Sequence, residues 1–167
     1  HTDFVKGHNL RLGEEPTAEA VIARIGDPAR YDEIVFCGYG EPLLRLDVVK
    51  AVAAEVKRRG GKVRIDTNGH ANLIYKRNIL PELAGLVDSV SVSLNAQNAE
   101  VYEKISQPRF GPGTYEAVKE FIGKAGKYIP EVTATVVSLP EVDIEACRKI
   151  AEERGAAFRV REYNVVG

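Results

Sequence analysis

Five runs of apolar or alternating residues begin near residues 34, 62, 90, 132 and 158, and amphipathic segments separate them. The intervals are 28, 28, 42 and 26 residues, enough for one strand, one helix and their two turns. Ile34-Val35-Phe36-Cys37 is too short for a helix and meets a turn signal at Gly38, so it reads as a buried strand. Lys62-Val63-Arg64-Ile65-Asp66 and Ser89-Val90-Ser91-Val92-Ser93-Leu94 alternate with the period of a strand, and Val132–Val137 and Phe158–Tyr163 continue the series. Between them, Val48, Val49, Val52 and Val56 recur at helical spacing, as do Ala117, Val118, Phe121 and Ile122, then Ile144, Cys147, Ile150 and Ala151. This alternation predicts an α/β fold with a parallel sheet, open or barrel-like, and strands over 33–37, 62–66, 89–94, 131–137 and 157–163. The longest interval holds Pro108, Gly111, Pro112 and Gly113, a loop.

Local signals place the helix ends. Thr17, Asp47, Thr114 and Asp143 are the expected N-caps, and Gly26-Asp27-Pro28, Gly60-Gly61 and Gly155 the stops. A short helix is expected over Ala99–Ile105 and an irregular helical crossover around Leu73–Leu86. Residues 1–16 lack a sustained period and read as an extended lead-in or loop. A chain of 167 residues suits one domain with a sizeable core. With 44% hydrophobic and 28% charged residues it should be globular, and a net charge of −1 argues against a general nucleic-acid or anionic-membrane surface. No apolar run approaches a membrane span. The two cysteines, Cys37 and Cys147, read as buried free thiols and fit a cytoplasmic setting.

Parallel α/β sheets place ligands at the C-terminal ends of their strands. Those ends carry Gly38-Tyr39-Gly40-Glu41-Pro42, then Thr67-Asn68-Gly69, then Ser93 and Asn95, then Ser138, then Tyr163-Asn164. The ring is neutral and hydrogen-bonding, with one acid. Glycines at 38 and 40 allow unusual backbone angles and close ligand approach, and Pro42 biases Glu41 away from the α region, which should keep the chain open there. Scattered His1, His8 and His70 offer no metal-binding pair, and neither a Gly-x-Ser-x-Gly elbow nor a phosphate-binding loop is present. The ring suits holding a polar small molecule. Each part also has a plainer reading: Glu41 as a solvated turn residue, Thr67-Asn68-Gly69 as a common turn, Ser93 and Asn95 as caps of the next helix, Lys104 as a solvated helix residue and Cys37 as core packing.

Taken together, the strand ends resemble the radical S-adenosylmethionine (radical SAM) enzymes. Gly38-Tyr39-Gly40-Glu41-Pro42 resembles that family's glycine-glycine-glutamate-proline motif, with Tyr39 as an extra residue. Asp66-Thr67-Asn68-Gly69 resembles its Thr-Asn-Gly segment, and Ser91-Val92-Ser93-Leu94-Asn95 with Tyr102-Glu103-Lys104-Ile105 resembles the segment that reaches the ribose. The opening Asp3-Phe4-Val5-Lys6-Gly7-His8-Asn9-Leu10 is similar to a TatD-linked subgroup.

The resemblance implies a partial (β/α)6 TIM-like barrel and an oxidoreductase that uses S-adenosylmethionine and a 4Fe–4S cluster. Reductive cleavage of the cofactor would give a 5′-deoxyadenosyl radical that abstracts hydrogen from a small-molecule or peptide substrate, with electrons from a donor such as flavodoxin or ferredoxin. Carried over by position, the Gly38–Gly40 carbonyls, with Tyr39 between them, and the Glu41 carboxylate would accept from the methionyl amine. Ser93 and Asn95 would reach ribose hydroxyls, with Ser138 a weaker candidate; Thr67 and Asn68 would line the pocket, Tyr163 to Val166, including Asn164, would flank adenine, and Lys104 would face a carboxylate. The family's Cys-x-x-x-Cys-x-x-Cys run is missing and five strands are visible rather than six. The expectation is therefore that residues 1–167 form a radical SAM core domain whose first strand and cluster cysteines lie upstream of His1, and that this chain alone is catalytically silent. The alternatives are a cluster-free α/β barrel binding module and a TIM-barrel lyase or aldolase.

Overall fold

The computed structural model describes residues 4–5, 8–9, 13–38 and 40–163. Two short strands, β1 (Phe4–Val5) and β2 (His8–Asn9), pair antiparallel within the stretch that reads as an extended lead-in or loop. Helix α1 (Ala18–Ile25) follows, capped by Thr17, whose side chain accepts from the Ala20 amide. Then come β3 (Ile34–Phe36), α2 (Leu46–Arg58), β4 (Val63–Thr67), α3 (Ala71–Tyr75), β5 (Ser89–Ser93), α4 (Ala99–Ser106), α5 (Thr114–Ala125), β6 (Glu131–Val137), α6 (Ile144–Glu153) and β7 (Ala157–Arg161). Strands β3 to β7 form one parallel sheet in the order β3-β4-β5-β6-β7. This is the α/β architecture that the spacing predicts, an open sheet consistent with part of a TIM-like barrel. Among the described residues, β3 and β7 are its free edges.

The sheet's two faces differ in chemistry, and the register shows how. Val63 and Ile65 of β4, Val90 and Val92 of β5, and Ala134 and Val136 of β6 are buried. They join Val52 and Val56 of α2, Val118, Phe121 and Ile122 of α5, and Cys147 and Ala151 of α6 in one core cluster. The other face is polar. Pairing Arg64 with Ser89, Asp66 with Ser91, Ser91 with Thr133, and Thr135 with Arg159 puts all of these side chains on the same side. A doubly covered parallel sheet would show unbroken apolar runs instead. This polar face is the inner face of a barrel-like sheet.

Two expected helix caps lie elsewhere. Asp47 sits in the first turn of α2, because the chain has already coiled into a 3-10 turn over Pro42–Arg45. Glu41 caps that turn, so the chain closes at Pro42 rather than staying open. The phenol of Tyr75 pins the junction, accepting from the Leu46 amide at 3.3 Å and donating to the Leu44 carbonyl at 3.0 Å. Thr114 is the first residue of α5, not its cap; its hydroxyl donates to the Gly111 carbonyl at 2.6 Å, and Gly113 occupies the cap position. Asp143 caps α6 as expected, accepting from the Ala146 amide at 2.9 Å.

Asp88 joins the N-terminal ends of two strands. Its Oδ2 accepts from the Val63 amide at 2.7 Å, and its Oδ1 from the Lys57 ammonium at 2.6 Å. Burial pushes its carboxyl pKa up, but the Lys57 hydrogen bond, the Val63 amide and the charges of Lys57 and Lys62 outweigh that, and the net direction is down from 3.8. A lowered folded-state value stabilises the fold above the unfolded value and is lost as pH falls through the folded one. Asp88→Ala is therefore expected to cost about 1–2 kcal/mol at neutral pH and to flatten the acid limb of stability below 3.8. Urea unfolding of both forms across that limb checks this, and parallel curves would refute it.

Candidate functional site

The turn after β3 depends on glycine. Gly38 takes φ +142° and Gly40 φ +117°, angles that side-chain-bearing residues rarely adopt. The turn swings the Glu41 carboxylate onto the end of β4. There Glu41 Oε1 accepts from the Thr67 hydroxyl at 2.7 Å and from the Leu43 amide at 3.1 Å, while Oε2 accepts from the Asn68 amide at 2.7 Å. Burial raises the Glu41 pKa, against the lowering effect of the Asn68 amide, the Thr67 hydroxyl and the Leu43 amide. The network continues inward: the Gly69 amide donates to Thr67 Oγ1 at 3.1 Å, and the His70 amide to Asn68 Oδ1 at 2.9 Å. The polar side chains of Thr67 and Asn68 are thus occupied in holding the turn as well as bordering the cleft.

That cleft has a volume of about 310 Å³ and is lined by Cys37, Gly38, Gly40, Glu41, Asp66, Thr67, Asn68, Ser93 and Arg161. It brings the ends of β3, β4, β5 and β7 together, without the Ser138 end of β6. A second pocket of about 190 Å³ lies past the end of β5, lined by Asn95, Ile105, Ser106, Val137, Leu139 and Tyr163. Asn95 takes the left-handed region at φ +63°, its amide donates to the Thr135 carbonyl, and its Oδ1 is buried without a hydrogen-bond partner. A buried acceptor left unpaired is costly. A larger groove of about 800 Å³ between α2 and the 71–86 crossover includes Leu46, Lys50, Tyr75, Arg77 and Glu82. Lys50 and Arg77 both pair with Glu82 there, and none of the strand ends reaches the groove.

The remaining expectations divide as follows. Ser93 borders the first pocket, and Asn95 and Tyr163 the second. Neither Ser93 nor Asn95 caps α4; the Asn98 side chain does, accepting from the Val101 amide. Ser138 holds the end of the sheet, its Oγ accepting from the Tyr163 amide at 3.2 Å. Lys104 is exposed and paired with Glu141 at 3.3 Å, outside both pockets. Cys37 is exposed at the cleft rather than packed in the core: β3 ends at Phe36, one residue earlier than expected. Cys147 is buried as expected, its thiol pushed up to about 11 by burial and by the charge of Asp143. Tyr39 and Asn164 lie outside the described residues. The sequence reading missed Arg161 as a lining residue. Its signal was the alternation Phe158-Arg159-Val160-Arg161, which fixes that the two arginines share a face but not which face.

The family model described as the Radical SAM superfamily matches residues 4–153. The chain belongs to the radical SAM superfamily. No curated protein matches it. Among solved structures, the radical SAM chain is similar to a radical SAM methyltransferase from Sphaerobacter thermophilus, with 18% identity and a TM-score of 0.57. That match covers 92% of this chain but only 60% of the methyltransferase, and at such identity it speaks to the fold alone. Radical SAM proteins normally use S-adenosylmethionine and a 4Fe–4S cluster. Among the described residues, no three His, Cys, Asp or Glu side chains converge as metal ligands. The two thiols are an exposed one at a strand end and a buried one on α6, so the described residues do not fit a cluster.

Proposed function

We propose that this chain forms the S-adenosylmethionine-binding part of a radical enzyme. The observation that carries the reading is the state of Glu41. A carboxylate offers about four lone-pair sites, and three are used by Leu43, Thr67 and Asn68. The fourth belongs to Oε2, on a residue that lines the cleft, and it suits the methionyl ammonium. Charge favours the match, since a buried anion gains most from a cationic donor. Ser93 offers a hydroxyl to the ribose. The buried, unpartnered Asn95 Oδ1 accepts from an adenosine donor, beside the apolar wall of Ile105, Val137 and Leu139. Bound there, S-adenosylmethionine would supply the 5′-deoxyadenosyl group from which superfamily members generate a hydrogen-abstracting radical. The residues of this chain hold it and orient it. The reading takes 1–167 as one radical SAM domain, with cluster ligands and an electron donor of the flavodoxin or ferredoxin type supplied from outside the described residues. Assignment to the TatD-linked subgroup rests only on the resemblance of residues 3–10.

Calorimetric titration with S-adenosylmethionine under anaerobic conditions tests the proposal. The protein should bind it, and Asn95→Ala should weaken binding by roughly five- to twentyfold, the loss of one hydrogen bond to a buried acceptor. Lys127→Gln, on the exposed turn after α5, should leave it unchanged. No binding, or equal affinity in the Asn95 variant, would refute this assignment. Failure of the full-length protein to take up iron on reconstitution, with no cysteine triplet upstream of His1, would move the reading to a cluster-free binding module.

A further inference from the structure

We infer that Arg161, supported by Arg159, is an oxyanion-binding residue that selects a substrate carrying a carboxylate or phosphate group; the inference rests on the S-adenosylmethionine reading of the same cleft. On the polar face of the sheet, the charges at the β4 end are matched. Arg64 donates to Glu33 at 2.7 Å and to Asp66 at 2.8 Å. Glu41 is engaged by three protein donors. Arg161 is the exception in the cleft: among the described residues no carboxylate lies within salt-bridge distance of it, although Glu41 and Asp66 border the same space.

Its backbone is fixed. Arg161 is paired in register with Val137 of β6, and its carbonyl accepts from the Ser138 amide at 2.9 Å. Arg159, two residues earlier on the same face, extends across β6 to donate to the Ser91 hydroxyl of β5 at 3.4 Å. Two guanidinium groups therefore sit on the inner face of the last strand, on a rigid element. Arginine presents planar, paired donors that match carboxylate and phosphate oxygens. A cation held at the margin of a cleft without an acid partner also attracts an anion from a distance. Across the cleft from the Glu41 turn, Arg161 is placed to grip the end of a second molecule rather than the ammonium end of the first.

Inorganic phosphate and malonate are the probes, titrated calorimetrically at low ionic strength, with S-adenosylmethionine as a separate arm. Both anions should bind weakly. Arg161→Gln should weaken them at least fivefold and Arg159→Gln at least twofold, Lys127→Gln should have no effect, and S-adenosylmethionine affinity should stay within twofold in every variant. Phosphate preference would point to a phosphorylated substrate and malonate preference to a carboxylate. If Arg161→Gln instead weakens S-adenosylmethionine tenfold, Arg161 holds the methionyl carboxylate and the inference is overturned. Absence of anion binding, or equal anion affinity in the arginine variants, also overturns it. Failure of the wild-type protein to bind S-adenosylmethionine would defeat the cofactor reading while leaving the anion result legible.

Discussion

Glu41→Ala should lower the stability of the protein by about 2–4 kcal/mol and weaken S-adenosylmethionine binding at least tenfold. Both effects have one origin. The carboxylate ties the turn after β3 to the end of β4 through the Thr67 hydroxyl and the Asn68 amide, and it caps the 3-10 turn through the Leu43 amide. Alanine strands three donors in a partly buried place and frees the turn to move. Glu41→Gln separates the contributions. A glutamine carbonyl can still serve Thr67 and Leu43, but its NH2 group then faces the Asn68 N–H, donor against donor. It should cost roughly half as much stability while still losing the cation-binding charge. The pH dependence follows from burial, which raises the Glu41 pKa above 4.5. A raised folded-state value contributes stability that is complete below the unfolded pKa and is lost as pH rises through the folded one. S-adenosylmethionine affinity runs the opposite way, falling as the pH drops through that same value and the carboxylate gains its proton. Neither slope should survive in Glu41→Gln. Urea unfolding and calorimetry between acid and neutral pH check both, and wild-type behaviour in Glu41→Ala would show that the turn does not depend on the carboxylate.

Gly69→Ala should be nearly as damaging, at about 2–4 kcal/mol, through a different cause. Gly69 takes φ +78°, and a Cβ there would lie 2.9 Å from Val92 Cγ1 and 3.4 and 3.5 Å from the Val118 methyl carbons. Both valines are fully buried, so neither can readily give way. Gly60 supplies the control: it has the same φ of +78°, with nothing within 4 Å of its Cβ position. Gly60→Ala should cost only the backbone strain, about 1 kcal/mol. The difference between the two variants measures the crowding alone, and a chain of this size loses about 2–4 °C of melting temperature per kcal/mol. Because Gly69 follows Thr67 and Asn68 directly, its displacement should also loosen the Glu41 clamp, so cofactor affinity should drop in the Gly69 variant and hold in the Gly60 variant. Equal melting temperatures would mean that Val92 and Val118 repack freely.

The parts of this fold that the sequence exposed are those set by local pattern. Alternation at Lys62–Asp66 and the β-branched run at Val132–Val137 placed β4 and β6 to within a residue, because side-chain period and strand geometry are the same fact. Three of the strand-end clusters meet in the cleft for the same reason: parallel strands put all their C-terminal ends together. What escaped depended on contacts distant in sequence. Asp47 looks like a cap until Glu41 is seen to cap the preceding turn with the side chain that also holds Thr67. Cys37 looks apolar and strand-borne until Gly38, at φ +142°, ends the strand before it. Arg161 cannot be assigned to a face without the register of β7 on β6.

Strand order along the sheet is also strand order along the chain. Such a sheet can be built in the direction of synthesis, each new strand meeting a neighbour already in place. Only one loop of βα length must close at each step, which keeps the entropic barrier to each addition low. The candidate site would then mature in stages. The Glu41–Thr67–Asn68 clamp closes once β4 docks on β3, before any residue beyond the turn at Gly69 is needed. Ser93 joins with β5, and Arg161 arrives later, on β7, the last of the described strands. A nascent chain would hold the proposed cofactor-gripping turn well before it could hold the residue proposed to choose the substrate.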